Sequence, residues 1–131
     1  MLKRIVNLLE DKSLFIAIVL TFLIAYLSFI PLNNLIPKFE FGYFDKIAHI
    51  ISYASLSFSW FLAVCLKKVP IIKIILTAIC ISFYGIIIEV VQGNYTPSRE
   101  ADIYDVLANT IGIIIGLGIF ILWIQKRKLL K

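Results

Sequence analysis

The chain has 131 residues, of which 61% are apolar and 14% aromatic while only 16% are charged, and its mean hydropathy is +0.98. Soluble domains run at about 45–50% apolar and about 25% charged, so this composition excludes an ordinary water-soluble fold and indicates one membrane-embedded domain. The net charge of +5 reflects basic residues gathered at segment ends, a pattern of membrane topology and anionic-lipid attraction, and no nucleic-acid partner is expected.

Four apolar segments follow one another, at about 13–30, 47–66, 71–91 and 103–124. Each is long enough to cross about 30 Å of hydrocarbon at about 1.5 Å per residue. The first is closed by Pro31 and the turn-prone Asn33-Asn34; it is taken as a span and not a cleaved signal peptide, since no small-residue pair marks a cut. The second ends at Lys67-Lys68, the third follows Pro70, and the fourth stops at Lys126-Arg127-Lys128. A proline suits a helix start because its missing N–H has no partner there. Short connections make neighbouring helices antiparallel. The expected fold is an all-α membrane protein, a single domain over 1–131 with four transmembrane helices. Cys65 and Cys80 fall at different depths, so neither a disulfide nor a metal pattern is expected of them.

Basic residues are retained on the cytoplasmic side of short loops. The N-terminus, second loop and C-terminus hold Lys3, Arg4, Lys12, Lys67, Lys68, Lys73, Lys126, Arg127, Lys128 and Lys131, ten of thirteen. The other loops and their helix ends hold only Lys38, Lys46 and Arg99, yet carry Glu40, Asp45, Glu89, Glu100, Asp102 and Asp105. Both termini are therefore expected in the cytoplasm, and the acidic ends outside.

Helical spacing groups the embedded polar residues by face. Asp45, His49 and Tyr53 lie four apart; Gly85, Glu89 and Gln92 share a stripe; Asp102, Asp105, Asn109, Gly112 and Gly116 form another. Counting about 20 residues back from the basic anchors places His49 and Asn109 just below the outer surface, Asp105 at it and Glu89 about one turn deep. The three ends should meet as a polar pocket on the extracytoplasmic side.

Embedded ionisable groups usually face a bundle interior with partners, which favours Glu89 as a functional acid over a residue tilting into the headgroups. His49 is the one histidine, and Asp45 one turn away can orient its ring, leaving the other nitrogen to move protons or bind a ligand. Arg99, in a short polar loop, suits either a two-bonded grip on phosphate or carboxylate, or a salt bridge to Glu89 or Asp105. Asp102 and Asp105 sit in the first turn of the last span, where helix N–H groups favour carboxylates, and capping is the expectation for Asp102. His49, Glu89, Asp102 and Asp105 show no local metal-ligand spacing, so neither metal nor cofactor is expected. Ala108, Gly112 and Gly116 make a groove for close helix packing inside the bundle.

The ordered set Asp45-Lys46-x-x-His49-x-x-x-Tyr53-x-x-Leu56, Glu89-x-x-Gln92, Arg99, Asp105-x-x-x-Asn109-x-x-Gly112-x-x-x-Gly116 resembles the VanZ-like family of small bacterial membrane proteins, over roughly residues 45–118. The resemblance implies a multi-span helical membrane protein, and the family's name-giving member is an accessory to teicoplanin resistance. A second histidine common just before the glutamine is Val91 here, and the Gln92-to-Arg99 interval is one residue longer than usual. The expected function is an outward pocket in the cell membrane that binds or acts on a cell-envelope lipid headgroup or lipid-linked wall precursor. His49, Glu89 and Asp105 are the candidate catalytic residues; Asp45, Lys46, Tyr53, Gln92, Arg99, Asp102 and Asn109 are the candidate ligand contacts. The alternative is a non-catalytic binding or scaffold protein whose polar cluster locks the helices together.

Overall fold

A computed structural model describes residues 2–30, 38–66, 69–95 and 102–129. Five α-helices make up almost all of them: α1 (Leu2–Asp11), α2 (Ser13–Ser28), α3 (Lys38–Cys65), α4 (Ile71–Tyr95) and α5 (Ile103–Leu129). Among the described residues there is no strand.

Helix α1 lies outside the four expected segments. Val6 and Leu9 lie three apart on one face, with Arg4 and Asp11 on the opposite one, an amphipathic pattern that apolar length alone does not detect. The chain turns at Lys12, whose N–H still bonds the Leu8 carbonyl at 3.1 Å, while Ser13 Oγ donates to the Glu10 carbonyl at 2.8 Å. Glu10 fastens α1 to the far end of α5: its Oε1 accepts from Arg127 Nε at 2.9 Å and from Trp123 Nε1 at 3.3 Å.

By length and apolar composition, the stretches 43–65, 71–95 and 103–128 can each cross a membrane. The 16 residues of α2 rise only about 24 Å, less than the roughly 30 Å of a hydrocarbon core, so this segment is shorter than the 13–30 expected of it. Helix α3 begins at Lys38, earlier than the expected 47. After Pro37 the sequence holds no proline to break it, so Asp45 and Lys46 belong to the helix and not to a connection. At the other end of the pattern, α4 continues to Tyr95, close to Pro97, which biases the residue before it away from helix.

Cross-helix pairs establish the directions. Thr21 of α2 meets Tyr84 of α4, and Ser28 meets Gln92, so these two helices run the same way. Lys46 of α3 meets Asp105 of α5, and Phe61 meets Phe120, so these two also run together. Trp60 of α3 bonds Thr21, whereas Tyr53 packs with Ile24, which makes α3 antiparallel to α2. The N- and C-terminal helices thus meet at one end of the bundle. The start of α3, the end of α4 and the start of α5 meet at the other.

The most extensive packing is α3 on α5, and it runs through missing side chains. A Cβ on Gly112 would lie 2.5 Å from the Ile50 carbonyl oxygen, and one on Gly116 would lie 2.5 Å from the Ala54 carbonyl oxygen and collide with Ser57 Oγ. Only glycine lets the two backbones approach this closely. Ile24, Tyr53, Leu56, Ile81 and Ile113 fill one half of the interior; Phe61, Leu62, Cys65 and Phe120 fill the other. Outside, Phe22, Phe83, Ile87, Ile114 and Leu122 are more than half exposed. Large apolar side chains directed outward on every long helix suit a lipid environment, where apolar contact costs nothing.

Candidate functional site

At the end of the bundle opposite the termini, three helices bring their polar residues together. Lys46 on α3 donates from Nζ to Asp102 Oδ2 at 2.6 Å and to Asp105 Oδ1 at 2.5 Å, joining α3 to the start of α5. Asp102 also caps that start: its Oδ1 accepts the Tyr104 N–H at 2.9 Å, and its carbonyl accepts the Asp105 N–H at 3.0 Å. The Lys46 ammonium, and after it the Tyr104 N–H, hold the Asp102 carboxyl below the ordinary carboxylate range.

Glu89, near the end of α4, is 5% exposed. Its Oε1 accepts the backbone N–H of Asp102 at 2.9 Å, tying α4 to α5, while its Oε2 is buried with no hydrogen-bond partner among the described residues. Gln92, one turn on, takes a different direction: its Nε2 donates to the Ser28 carbonyl at the end of α2 at 2.6 Å.

His49 lies between these groups. Its Nδ1 is 2.8 Å from Asn109 Oδ1. A carbonyl oxygen can only accept, so Nδ1 carries the hydrogen and Nε2 is left with its lone pair when the ring is neutral. That Nε2 lies 4.0 Å from Asp45 Oδ1 and 4.0 Å from Asp105 Oδ2, too far for a hydrogen bond to either. Asp45, His49 and Asp105 together present one nitrogen and two oxygens within 4.8 Å of one another, a set able to hold a metal ion. The Tyr53 ring stacks beside the imidazole, with centroids 6.4 Å apart, and its buried hydroxyl has no hydrogen-bond partner among the described residues. Gly85 makes room for it: a Cβ there would stand 3.0 Å from the Tyr53 ring and 3.1 Å from Asn109 Nδ2.

A cavity of about 190 Å³ opens beside Asp45, His49, Ser52 and Tyr53, walled on the other side by Ile24, Leu27, Ser28 and Ile30 of α2 and the turn after it. This α2 wall is the part of the site that sequence reasoning misses, because apart from Ser28 it is apolar and gives little to mark which face of α2 turns inward. Deeper in the bundle, Trp60 Nε1 donates to Thr21 Oγ1 at 3.1 Å and Tyr84 OH to the Thr21 carbonyl at 2.5 Å. Those residues border a second, apolar cavity of about 410 Å³. Thr21, a polar residue deep in the first apolar segment, is the signal that could have found them.

Nine of the candidate site residues are thus placed at one end of the bundle: Asp45, Lys46, His49, Tyr53, Glu89, Gln92, Asp102, Asp105 and Asn109. Ala108, Gly112 and Gly116 are buried on the same face of α5. Arg99 lies outside the described residues.

Long apolar helices with lipid-facing side chains and a buried acid, amide and imidazole cluster at one end define a multi-pass α-helical membrane protein. The family model VanZ/LLP1 matches residues 4–124, and the chain belongs to the VanZ-like family. Nothing matches it among curated proteins or among solved structures.

Proposed function

We propose that the polar end of the bundle lies on the outer face of the cell membrane and binds or acts on the headgroup of a cell-envelope lipid or lipid-linked wall precursor. The observation that carries this reading is the lone-pair nitrogen of His49 beside a cavity that polar residues line on one side and apolar residues on the other. A pocket of that kind suits a molecule with a polar head and an apolar tail. In this reading Glu89 or His49 is the acid/base, Asp105 sets the charge around them, and Arg99 grips the anionic part of the ligand. The concentration of basic residues at the opposite end supports the outward orientation. A link to teicoplanin tolerance follows from the family's name-giving member.

The non-catalytic alternative draws support from Lys46. Its ammonium is engaged by two carboxylates, an arrangement suited to joining α3 to α5. Substituting Glu89→Gln, His49→Ala and Arg99→Ala singly, and measuring envelope lipid composition and teicoplanin tolerance in cells, separates the two. Altered lipids in folded, membrane-inserted variants support the headgroup function. Unchanged lipids and tolerance in all three leave the scaffold role.

A further inference from the structure

We infer that Asp45, His49 and Asp105 form a binding site for a divalent transition-metal ion of the zinc class. The donors come from two helices, α3 and α5, with side-chain exposures of 15%, 11% and 9%. The Nε2 atom of His49 is 4.0 Å from one oxygen of each carboxylate. That is too long for a direct hydrogen bond; donors at about 2.0–2.2 Å from one tetrahedral ion stand about 3.3–3.6 Å apart, so the three side chains would close by about half an ångström around an ion.

Three further observations point to an ion. First, the Nδ1–H of His49 is directed at Asn109 Oδ1, so the Nε2 lone pair faces the carboxylates; a metal-bound histidine is typically oriented by a bond of this kind from its other nitrogen. Second, Lys46 takes Oδ1 of Asp105 and leaves Oδ2 on the His49 side. Third, Glu89 is buried at the same end of the bundle, and among the described residues its Oε2 has no hydrogen-bond partner. A buried carboxylate oxygen with nothing to bond is costly, and a nearby cation offsets that cost.

The donor set selects the ion. One imidazole nitrogen with carboxylate oxygens suits zinc or manganese, whereas calcium and magnesium prefer oxygen alone. Three protein ligands leave a coordination position open, and the 190 Å³ cavity beside Asp45 and His49 supplies space for water or a ligand there. By sequence, this end of the chain holds six acids, Glu40, Asp45, Glu89, Glu100, Asp102 and Asp105, against three bases, Lys38, Lys46 and Arg99, so a positive ion improves its charge balance.

Metal uptake is measured without lipid substrate, so its outcome is separate from that of the headgroup reading; with an ion on His49 Nε2, Glu89 is the acid/base of that reading. The full chain, purified in detergent and stripped with EDTA, is dialysed against Zn²⁺ and its metal content measured by mass spectrometry, with Co²⁺ as a spectroscopic substitute. About one ion per folded chain is expected, with Co²⁺ bands showing a nitrogen and oxygen ligand field. His49→Ala and Asp45→Asn should abolish uptake, and Asn109→Ala should weaken it by about 10–100-fold through the lost orientation of the ring. Glu10→Gln, at the other end of the bundle, should retain it. Circular dichroism separates loss of binding from loss of fold. A folded wild-type chain that takes up no ion, or uptake that persists in both His49→Ala and Asp45→Asn, overturns the assignment.

Discussion

Glu89 of α4 holds the backbone of Asp102, the residue that opens α5: its Oε1 accepts the Asp102 N–H at 2.9 Å. A carboxylate at the edge of a membrane helix thereby fixes where the next helix starts. The start of α5 in turn sets the positions of Asp105 and Asn109, and through them the tautomer and orientation of His49. The polar end is one connected network.

Glu89→Ala removes that acceptor and should cost about 1–3 kcal/mol, the penalty of leaving a partly buried N–H unpaired. Glu89→Gln keeps an oxygen that can accept and should cost less. Thermal unfolding in detergent ranks the two. A functional loss in Glu89→Gln at preserved stability would assign the role to the carboxylate's charge or proton and not to the helix tie.

Lys46→Met leaves Asp102 and Asp105 facing each other without their shared cation. Hydrogen bonds to charged groups contribute about 1.5–3 kcal/mol, and a loss of that order is expected from α3–α5 packing. Adding Asp105→Asn removes the charge repulsion between the two, so the double variant should be more stable than Lys46→Met alone. Chemical denaturation of the four members of this cycle tests the coupling.

Gly116→Ala and Gly118→Ala should diverge. At Gly116 the new methyl meets the Ala54 carbonyl, a backbone atom that cannot swing aside, and overpacking costs about 1–3 kcal/mol. At Gly118 there is nothing within 4 Å, so alanine should stabilise α5 by up to about 1 kcal/mol through helix propensity. Paired melting curves distinguish them in sign.

Glu10→Ala releases α1 from Trp123 and Arg127 and should raise its protease susceptibility while α3, α4 and α5 stay protected. Equal protection of α1 in variant and wild type would show that Glu10 is not what fastens it.

Orientation is tested by labelling. In a background with Cys65 and Cys80 replaced by serine, cysteine at Tyr43, which is 79% exposed, should react with an impermeant maleimide in intact cells. Cysteine at Gln125 should react only after permeabilisation. The reverse pattern would place the polar end in the cytoplasm.

Much of this architecture is legible in the amino-acid sequence. Apolar length marks the segments 71–91 and 103–124, most of α4 and α5, and 47–66, most of α3, because a bilayer demands runs that few other environments tolerate. The spacing of Asp45, His49 and Tyr53, and of Asp105, Asn109, Gly112 and Gly116, specifies which residues share a face, since helical geometry is local. The same logic does not detect α1, whose mixed polarity resembles a loop, or the early start of α3 at Lys38.

Partners are another matter. That Gln92 bonds the Ser28 carbonyl and not the site, that Lys46 divides itself between Asp102 and Asp105, and that Asn109 sets the hydrogen on His49 all depend on the rotation and depth of one helix against another. Those are settled by side-chain packing, above all by the close approach of Gly112 and Gly116 to the backbone of α3. Sequence alone determined a helical membrane protein with its acids and histidine at segment ends. Only the tertiary structure, by fixing helix against helix at contact distance, decided that Asp45, His49 and Asp105 face one another.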